Sequence, residues 1–263
     1  MSQEDREIKF ISMPRYQMRR HALKKLLKKA GAVGSGKKIY EIGYGAGEIF
    51  RLYREMGLRV HGYDFSEYAY KYASQNYQDD QIVLFQEKPK PQNQYDFVVA
   101  CEVLEHIDDD LKMLKEWKGY LKNKGKLIIS VPAHRKRWGA TDVYAGHYRR
   151  YERKELEKKL AKAGLKIEEI YTYDFPECLL LDRMRDNDYG RKMEREKTGK
   201  SKEEYTKRSG VEREFSPLIQ ALANPAIWTV VAKVSELFYH TDWGSGYILA
   251  ASAKRQEKGG EDA

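Results

Sequence analysis

Short apolar runs alternate along most of this chain with longer stripes of helical spacing. Seven runs have the length of buried strands, at residues 39–42, 58–63, 82–85, 97–100, 127–131, 165–173 and 247–253. Amphipathic segments lie among them, at residues 15–30, 49–56, 66–76, 110–121 and 156–163. Strands that alternate with helices are typical of α/β proteins, so the pattern predicts a doubly wound, seven-stranded, mostly parallel sheet.

The alternation breaks once, between Cys178 and Trp243. Residues 183–215 hold eleven basic and eight acidic side chains, and an apolar helical stripe follows Pro225. An insertion here would lie at the carboxyl edge of the sheet, as a helical lid or as a solvated excursion. The expected organisation is a basic helical segment (1–36), a core (37–177), the lid insertion (178–242), the last strand (243–254) and a disordered tail (255–263).

A glycine-rich turn follows the first strand. Gly43, Gly45 and Gly47 precede a helix, and Asp64 ends the second strand about 20 residues later, where nucleotide-binding sheets hold a ribose. Glu48 or Phe50 stands where a dinucleotide fingerprint needs its third glycine, so nicotinamide chemistry is disfavoured. No Gly-Lys-Ser/Thr follows either, which excludes a phosphate-binding loop of that type.

The E-x-G-x-G-x-G pattern that begins at Glu41 resembles the first motif of class I S-adenosylmethionine-dependent methyltransferases. VVACEVLEHIDD and GKLIISVP are similar to the fourth- and fifth-strand motifs of that family. RYQMRRHALKKLL and GHYRRYERKELEKKLAKAGL resemble its subgroup of bacterial small-molecule, quinone and cell-surface-metabolite methyltransferases. The resemblance covers about residues 15–175 and 243–254, and it implies an enzyme of that class.

The resemblance also implies a site for S-adenosylmethionine, with S-adenosylhomocysteine as product. The residues that it assigns to this site are Glu41, Gly43, Gly45, Gly47, Asp64, Phe65, Glu87, Cys101 and Glu102. Asp64 would bind the ribose hydroxyls, Phe65 would pack on the adenine, and Glu102 would border the methionine end. The loop after the third strand is shorter than in many relatives, so Glu87 matches the family's adenine-binding acid only approximately.

Methyl transfer from a sulfonium needs positioning and, for some acceptors, a base. The candidate catalytic residues are His147, His134 and Tyr151, with His106 as a further histidine, and each has a structural hydrogen bond as its alternative role. The candidate substrate-binding residues are Arg149, Arg150 and Tyr144, although the arginines could instead pair with acids of the next helix. We expect no metal, because no histidine has metal-ligand spacing to Cys101 or Cys178.

The composition limits the class of protein. The chain has 263 residues, 41% of them hydrophobic, and two cysteines, so a disulfide framework is disfavoured and a reducing compartment is expected. It has neither an apolar run of about 20 residues nor a secretory segment, which favours a cytoplasmic location. The net charge is +9, and residues 1–40 hold eleven basic against three acidic side chains. Such a segment could attract nucleic acid, anionic lipid or an acidic substrate, or be a solvated helix face.

These observations favour methyl transfer to an oxygen or nitrogen of a small molecule or a carrier-linked metabolite. A nucleic-acid methyltransferase is the alternative that the basic N-terminus supports. The chain lacks the Asn/Asp-Pro-Pro-aromatic motif that base-amino methyltransferases carry. Asn224-Pro225-Ala226 is its nearest match to that motif. A non-catalytic cofactor-binding module is the third interpretation. The expected partner is a small-molecule substrate rather than nucleic acid, and peripheral membrane contact and oligomeric state stay open.

Overall fold

The computed structural model describes residues 14–34, 36–196 and 225–254. Its strands are β1 (Lys38–Ile42), β2 (Arg59–Tyr63), β3 (Ile82–Phe85), β4 (Tyr95–Cys101), β5 (Leu121–Pro132), β6 (Leu165–Tyr173) and β7 (Gly246–Ala253). Its α-helices are α1 (Pro14–Lys29), α2 (Phe50–Glu55), α3 (Glu67–Tyr77), α4 (Asp110–Gly119), α5 (Ala140–Ala145), α6 (Arg153–Lys162), α7 (Cys178–Glu196) and α8 (Pro225–Ser235).

The strands form one sheet in the order β3-β2-β1-β4-β5-β7-β6. Strands β1 to β5 pair in parallel, and β7 lies antiparallel between β5 and β6. The predicted seven-stranded, mostly parallel sheet is therefore confirmed. Strand β5 begins six residues earlier than its apolar run, because Leu121 pairs with Tyr95 ahead of an irregularity in the ladder.

Helices cover both faces of the sheet, since the strand side chains alternate between two separate apolar clusters. In β4, Phe97 and Val99 join the cluster under α1, α3 and α8, whereas Val98 and Ala100 join the one under α4 and α6. A strand buried on both faces reads as a continuous apolar run rather than as an alternating one, as these runs do in the sequence.

The loops at the carboxyl ends of the parallel strands are fixed by local polar contacts. Ser66 accepts a hydrogen bond from the backbone amide of Ala69 at 3.3 Å and so caps α3. Asp109 caps α4 in the same way, through the amide of Lys112 at 3.0 Å. The short helix α5 has no apolar stripe, and the sequence pattern did not predict it.

Helix α1 packs between the sheet and α8. Its exposed cations form ion pairs with acidic residues of the same chain. Arg20 and Lys24 both contact Glu55 of α2, at 3.1 and 3.3 Å. Lys25 pairs with Glu236 just after α8, and Lys29 pairs with Glu169 of β6. The basic stripe is thus largely an ion-paired helix surface.

The insertion before β7 contains at least two helices, α7 and α8, in its described part. Residues 197–224 of the predicted lid, residues 1–13 of the predicted basic segment and the predicted disordered tail at 255–263 lie outside the described residues. None of the helices described is long and apolar enough to cross a lipid bilayer.

The pairing of the α1 cations generates a prediction about nucleic acids. We expect the protein to bind duplex DNA or RNA weakly, because several of the charges that would contact phosphates already have acidic partners. Fluorescence anisotropy with a labelled duplex over a range of salt concentrations measures this. Tight binding that weakens steeply with salt and vanishes when Lys24, Lys25, Lys28 and Lys29 are all replaced by Ala would contradict it.

Candidate active site

The glycine-rich turn between β1 and α2 adopts a backbone that side chains disfavour. Gly43, Gly45 and Gly47 have φ angles of 72°, 56° and 77°. A Cβ on Gly43 would lie 2.5 Å from a methyl carbon of Val103. Glycine is therefore favoured at position 43 both by its backbone angle and by the close approach of Val103.

Asp64, directly after β2, holds this turn in place. One carboxylate oxygen accepts a hydrogen bond from the amide of Gly45 at 2.8 Å, and the other accepts from the amide of Ser66 at 2.9 Å. Burial raises the pKa of Asp64, against the opposite effect of these two hydrogen bonds. The predicted ribose-binding acid thus also positions the glycine turn.

A cavity extends from the glycine turn across the carboxyl ends of β1, β4 and β5. Of the predicted site residues, the structure brings eight to its wall: Glu41, Gly43, Gly45, Cys101, Glu102, Tyr144, His147 and Arg150. Helix α1 closes one side with Arg15 and Arg19, and α7 contributes Arg185 and Tyr189 opposite the turn. The cavity is therefore shared between the sheet and the two segments that flank it in sequence.

Glu102 lies at the centre of this cavity wall with an unusual backbone angle, φ 56°. Arg15 donates to its carboxylate at 3.1 Å, and Tyr173 and Ser130 donate at 2.9 and 3.1 Å. Burial alone would raise the pKa of Glu102, but the charges of Arg15 and Arg19 lower it to about 2. Glu102 is consequently a fixed negative charge on the cavity wall.

Glu41 has the opposite character although it lines the same cavity. Burial raises its pKa to about 8, against the lowering effects of a 2.5 Å hydrogen bond from the Tyr53 hydroxyl and the charge of Arg19. Burial likewise raises the pKa of Cys101 to about 12. Glu41 and Cys101 therefore present neutral groups at neutral pH, next to the ionised Glu102.

His147 belongs to a buried chain of hydrogen-bonded polar groups. Its Nδ1 lies 2.8 Å from Oδ1 of Asp142, and Arg150 donates to both oxygens of Asp142 at 2.9 Å. Burial would raise the pKa of Asp142, but its bonds to His147 and Arg150 lower it. The carboxylate on Nδ1 favours the tautomer with a proton there, which leaves Nε2 as the nitrogen able to accept one.

Glu105, His106 and His147 form a compact group that sequence reasoning missed. Each offers one ligand atom, and these atoms lie within 4.8 Å of one another. Glu105 is fully buried with no hydrogen-bond partner on either oxygen, and burial raises its pKa well above the usual range. Burial also lowers the pKa of His106 to about 3, so its imidazole is neutral.

These three side chains could hold a divalent cation, because a carboxyl oxygen and imidazole nitrogens are ligands that such ions accept. The expectation of no metal considered only histidine spacing to the cysteines. The missed signal is the adjacent Glu105-His106 pair together with His147, which lies 41 positions after His106 along the chain.

Three predicted catalytic or substrate residues lie elsewhere and are corrected. Tyr151 is fully buried, and its hydroxyl donates to Asp110 at 2.9 Å, so it is a core residue. Arg149 pairs with the same carboxylate at 2.8 Å and does not line the cavity; its partner belongs to the earlier helix α4, not to the next helix that the sequence offered as the alternative. His134 lines a separate groove beside Trp243, with its ring against Tyr247.

The remaining predicted cofactor residues, Asp64, Phe65, Gly47 and Glu87, do not line the cavity wall. Phe65 follows Asp64 and is 47% exposed. Gly47 packs over Phe50 at the end of the turn. Glu87 is exposed on the loop after β3 and does not reach the cavity, in line with the shortness of that loop.

Two arginines of the cavity were also missed. Arg15 and Arg19 lie one helical turn apart on α1, which directs both side chains to the same side. Arg15 donates hydrogen bonds to Glu102, Asp174 and Ser245. Arg19 has a more distant contact, since its guanidinium lies 3.9 Å from the carboxylate of Glu102. The i, i+4 spacing was visible in the sequence, but nothing in it distinguished this pair from the ion-paired surface cations.

The glycine turn, Asp64 and the cavity fit the expected methyl donor, and comparison with known proteins identifies the family. Residues 15–170 match the family described as a methyltransferase domain, which is more than half of the chain. The chain belongs to this family. It is a class I S-adenosylmethionine-dependent methyltransferase, and S-adenosylmethionine is its cofactor.

One curated relative resembles this methyltransferase over part of its length. The chain is 31% identical over 105 residues to the ubiquinone biosynthesis O-methyltransferase of Coxiella burnetii, covering 36% of this chain and 44% of that protein. The chain thus matches less than half the length of this curated relative.

Solved structures resemble it in fold. Phosphoethanolamine N-methyltransferase 2 of Haemonchus contortus, in complex with S-adenosylmethionine, has a TM-score of 0.55 at 22% identity, covering 89% of this chain and 53% of that one. The [4+2]-cyclase SpnF has a TM-score of 0.55 at 18% identity, covering 90% and 81%. A fold shared with a cyclase does not itself define a reaction.

The contacts of Asp64 predict an effect on cofactor affinity. Asp64→Asn should weaken S-adenosylhomocysteine binding by about 1.5–3 kcal/mol, the scale of a hydrogen bond to a charged group. Calorimetry measures this. Asp79→Asn is the matched control, because Asp79 also accepts two backbone bonds, from Gln81 and Ile82, but lies in the turn between α3 and β3 and does not bind the glycine turn. Equal affinities of the Asp64 variant and wild type would remove Asp64 from the cofactor site.

The raised pKa of Glu41 predicts a pH dependence of stability. Between its ordinary pKa of 4.5 and about 8, folded Glu41 holds a proton that the unfolded chain has lost. The stabilisation that comes from this bound proton is complete below pH 4.5, the pKa of Glu41 in the unfolded chain. It is lost as the pH rises through about 8, the pKa of Glu41 in the folded protein.

Glu41→Gln has a neutral side chain at every pH and should remove the loss of stability that Glu41 causes as the pH rises. Its melting temperature at about pH 8 should exceed that of wild type by roughly 2–4 °C or more, the effect of 1 kcal/mol in a domain of this size. Thermal melts at about pH 5 and pH 8 measure it, with the exposed Glu87→Gln as control. Parallel pH profiles of wild type and Glu41→Gln would show that Glu41 ionises normally.

Proposed function

We propose that this enzyme transfers a methyl group to an oxygen or nitrogen of a small molecule or carrier-linked metabolite, with His147 as the general base. The observation that carries the proposal is the Asp142–His147 pair in the same cavity as the glycine turn. A hydroxyl is the acceptor that this pair suits best, since a hydroxyl must lose a proton. The O-methyltransferase relatives support the same choice over the region they share with the chain.

The cofactor end of the cavity would be held by residues of the glycine turn and α1. The main chain at Gly43 and Gly45 would lie under the cofactor, and Asp64 would accept from its ribose. Arg19, which is less engaged than Arg15, would bind the carboxylate of the methionine part. The fixed charge of Glu102 would favour the cationic end of the cofactor over an anion at that position.

The bound cofactor supplies a methyl group on a sulfonium that is already a good leaving group. His147 Nε2 would accept the proton that the hydroxyl of the acceptor loses as it takes the methyl group. Asp142 stabilises the resulting imidazolium and holds the ring in one orientation, and Arg150 holds Asp142. Arg150 therefore acts as a positioning residue, although the sequence placed it among substrate ligands.

The acceptor would lie between His147 and the aromatic wall opposite the turn. Tyr144 of α5 and Tyr189 of α7 approach each other with ring centroids 4.7 Å apart. The two helices are tied together where Asp186 accepts from the amide and hydroxyl of Thr141, at 3.0 and 2.6 Å. This wall favours an acceptor with a flat or apolar body, which fits a small molecule better than a nucleic-acid duplex.

Replacement of His147 tests the proposed base. His147→Ala should retain S-adenosylhomocysteine affinity and lower turnover by about 10²–10⁴-fold, the usual range for a general base. Turnover is measured as transfer of a tritiated methyl group to small-molecule, lipid and nucleic-acid fractions of a cell extract. Asp142→Asn should lower turnover in the same direction and shift its pH profile, because the tautomer of His147 is no longer fixed.

His134→Ala is the matched control, because that histidine lies in the separate groove and should leave turnover unchanged. Wild-type turnover in His147→Ala would show that the acceptor needs no base or that another residue provides it. Label confined to the nucleic-acid fraction would favour the alternative acceptor. Absence of label in every fraction, with intact cofactor binding, would favour the non-catalytic module.

A further inference from the structure

Glu105 is a buried acidic side chain that the proposed reaction does not use. It lies in the single helical turn Leu104–His106 that follows β4, and it is 0% exposed. Neither of its carboxyl oxygens has a hydrogen-bond partner in the part of the chain that the structure describes. Burying a carboxyl group without partners is costly, so such a group needs an explanation, of which a bound ion is one.

Two histidines lie against this carboxyl group. The Nε2 atom of His147 is 3.9 Å from a carboxyl oxygen of Glu105, and the rings of His106 and His147 meet edge to face with centroids 4.7 Å apart. One ligand atom from each of the three residues lies within 4.8 Å of the other two. Ligand atoms around a tetrahedral zinc ion, with bonds of about 2.0–2.1 Å, are about 3.3–3.4 Å apart. Side-chain rotations that shorten these distances by about 1.5 Å or less would therefore complete a metal site.

The other ring nitrogen of His147 is already held as in a metal site. Nδ1 lies 2.8 Å from Oδ1 of Asp142, and Arg150 donates to the same carboxylate. Histidines that bind metals commonly donate their second ring N–H to a carboxylate, which fixes the tautomer and orients the ring. The lone pair of Nε2 therefore remains for a metal ion. This observation is independent of the unpartnered carboxyl group of Glu105.

The charges around the three residues do not oppose a cation. Five arginines among the described residues line the same cavity, and each is paired with a carboxylate. The pairs are Arg15 and Arg19 with Glu102, Arg20 with Glu55, Arg150 with Asp142, and Arg185 with Asp182. A carboxyl ligand loses its proton when it binds a metal, so an ionised Glu105 would balance the one arginine charge that the sharing of Glu102 leaves over.

We propose that Glu105, His106 and His147 bind one zinc ion, and that the bound ion inhibits methyl transfer. Zinc suits this set, because it takes three protein ligands of the imidazole and carboxylate types and keeps a fourth position for water. His106 and His147 line the cavity, so the ion would reach the site from there. Magnesium and calcium suit the set less, because they prefer sites made of oxygen ligands.

The inhibition rests on the proposed function, whereas the binding of zinc does not. Nε2 of His147 has one lone pair, which can bind either a metal ion or the proton of the acceptor hydroxyl. A zinc ion on this nitrogen would therefore remove the base. The metal-free protein would be the active form, and zinc would be a reversible inhibitor of it.

Calorimetry with the metal-free full chain, without any polyhistidine tag, tests the binding. One Zn²⁺ should bind per chain, and Mg²⁺ should bind at least about 100-fold more weakly. Glu105→Gln and His106→Ala each remove a ligand and should weaken zinc binding by about 100-fold or more. Asp142→Asn should weaken it by about 10–100-fold, the range for a carboxylate that orients a ligand.

His134→Ala is the matched control, because His134 also lies near a carboxylate, that of Glu152 at 3.7 Å, but outside this group. It should bind zinc like wild type, and S-adenosylhomocysteine binding shows that each variant is folded. Failure of wild type to bind zinc, or wild-type zinc affinity in both Glu105→Gln and His106→Ala, would overturn the proposal. A thiolate-to-cobalt absorption band with Co²⁺ in place of zinc would do so too, because it would place the ion on a cysteine.

Turnover with and without saturating zinc tests the inhibition. Zinc should lower the turnover of wild type by about 10²-fold or more, the effect of losing a general base, and a chelator should restore it. His106→Ala should keep its own metal-free turnover at the same zinc concentration, and each variant is compared only with itself.

The two proposals fail in different ways. Zinc that binds at the three residues and leaves turnover unchanged would overturn the inhibition and the role of His147 as base, but not the metal site. Absence of zinc binding, together with lost turnover in His147→Ala, would overturn the metal site and leave the proposed function intact.

Discussion

The ion pair between Arg15 and Glu102 joins helix α1, near the start of the chain, to the end of the central strand β4. Glu102 follows the central strand β4 in a left-handed backbone conformation, a cost that persists only where surrounding contacts hold it. Tyr173 and Ser130 bind its other oxygen from β6 and β5, and Arg15 continues to Asp174 and Ser245. Helix α1 is thereby fixed over the carboxyl edge of the sheet. Without this ion pair, helix α1 would not be fixed as one wall of the cavity, and Glu102 would lose the charge that keeps its carboxylate ionised.

Burial assigns different charge states to carboxyl groups that lie close together. Burial raises the pKa of Glu41 to about 8 and that of Glu105 well above its usual range, whereas arginines and an imidazole lower the pKa values of Glu102 and Asp142. Raised and lowered pKa values thus arise in the same low-dielectric surroundings. The ionised Glu102 therefore shares the cavity wall with a Glu41 that is largely neutral at pH 7.

The two sides of the cavity have different origins in the fold. The cofactor side uses the strand ends and the glycine turn, which any protein with this sheet can supply. The other side is built from α5 and from α7 of the insertion, joined through Asp186 and Thr141. This other side therefore comes from segments outside the sheet. Solved structures that resemble the fold include an N-methyltransferase and a cyclase, so the fold itself does not define a reaction.

The sequence alone determined the seven strands, most helices, the glycine turn and Asp64, because local periodicity and backbone preference encode these features. Tertiary structure decided which polar side chains meet. The sequence favoured His147 over His134 and Tyr151 only because arginines and a tyrosine lie beside it. Of the three, only His147 lines the cavity, since the loop after β5 directs it to Asp142. Arg19 and the Glu105–His106–His147 group were missed because their contacts join distant segments. Burial and long-range pairing depend on how elements pack, and linear spacing carries little of that information.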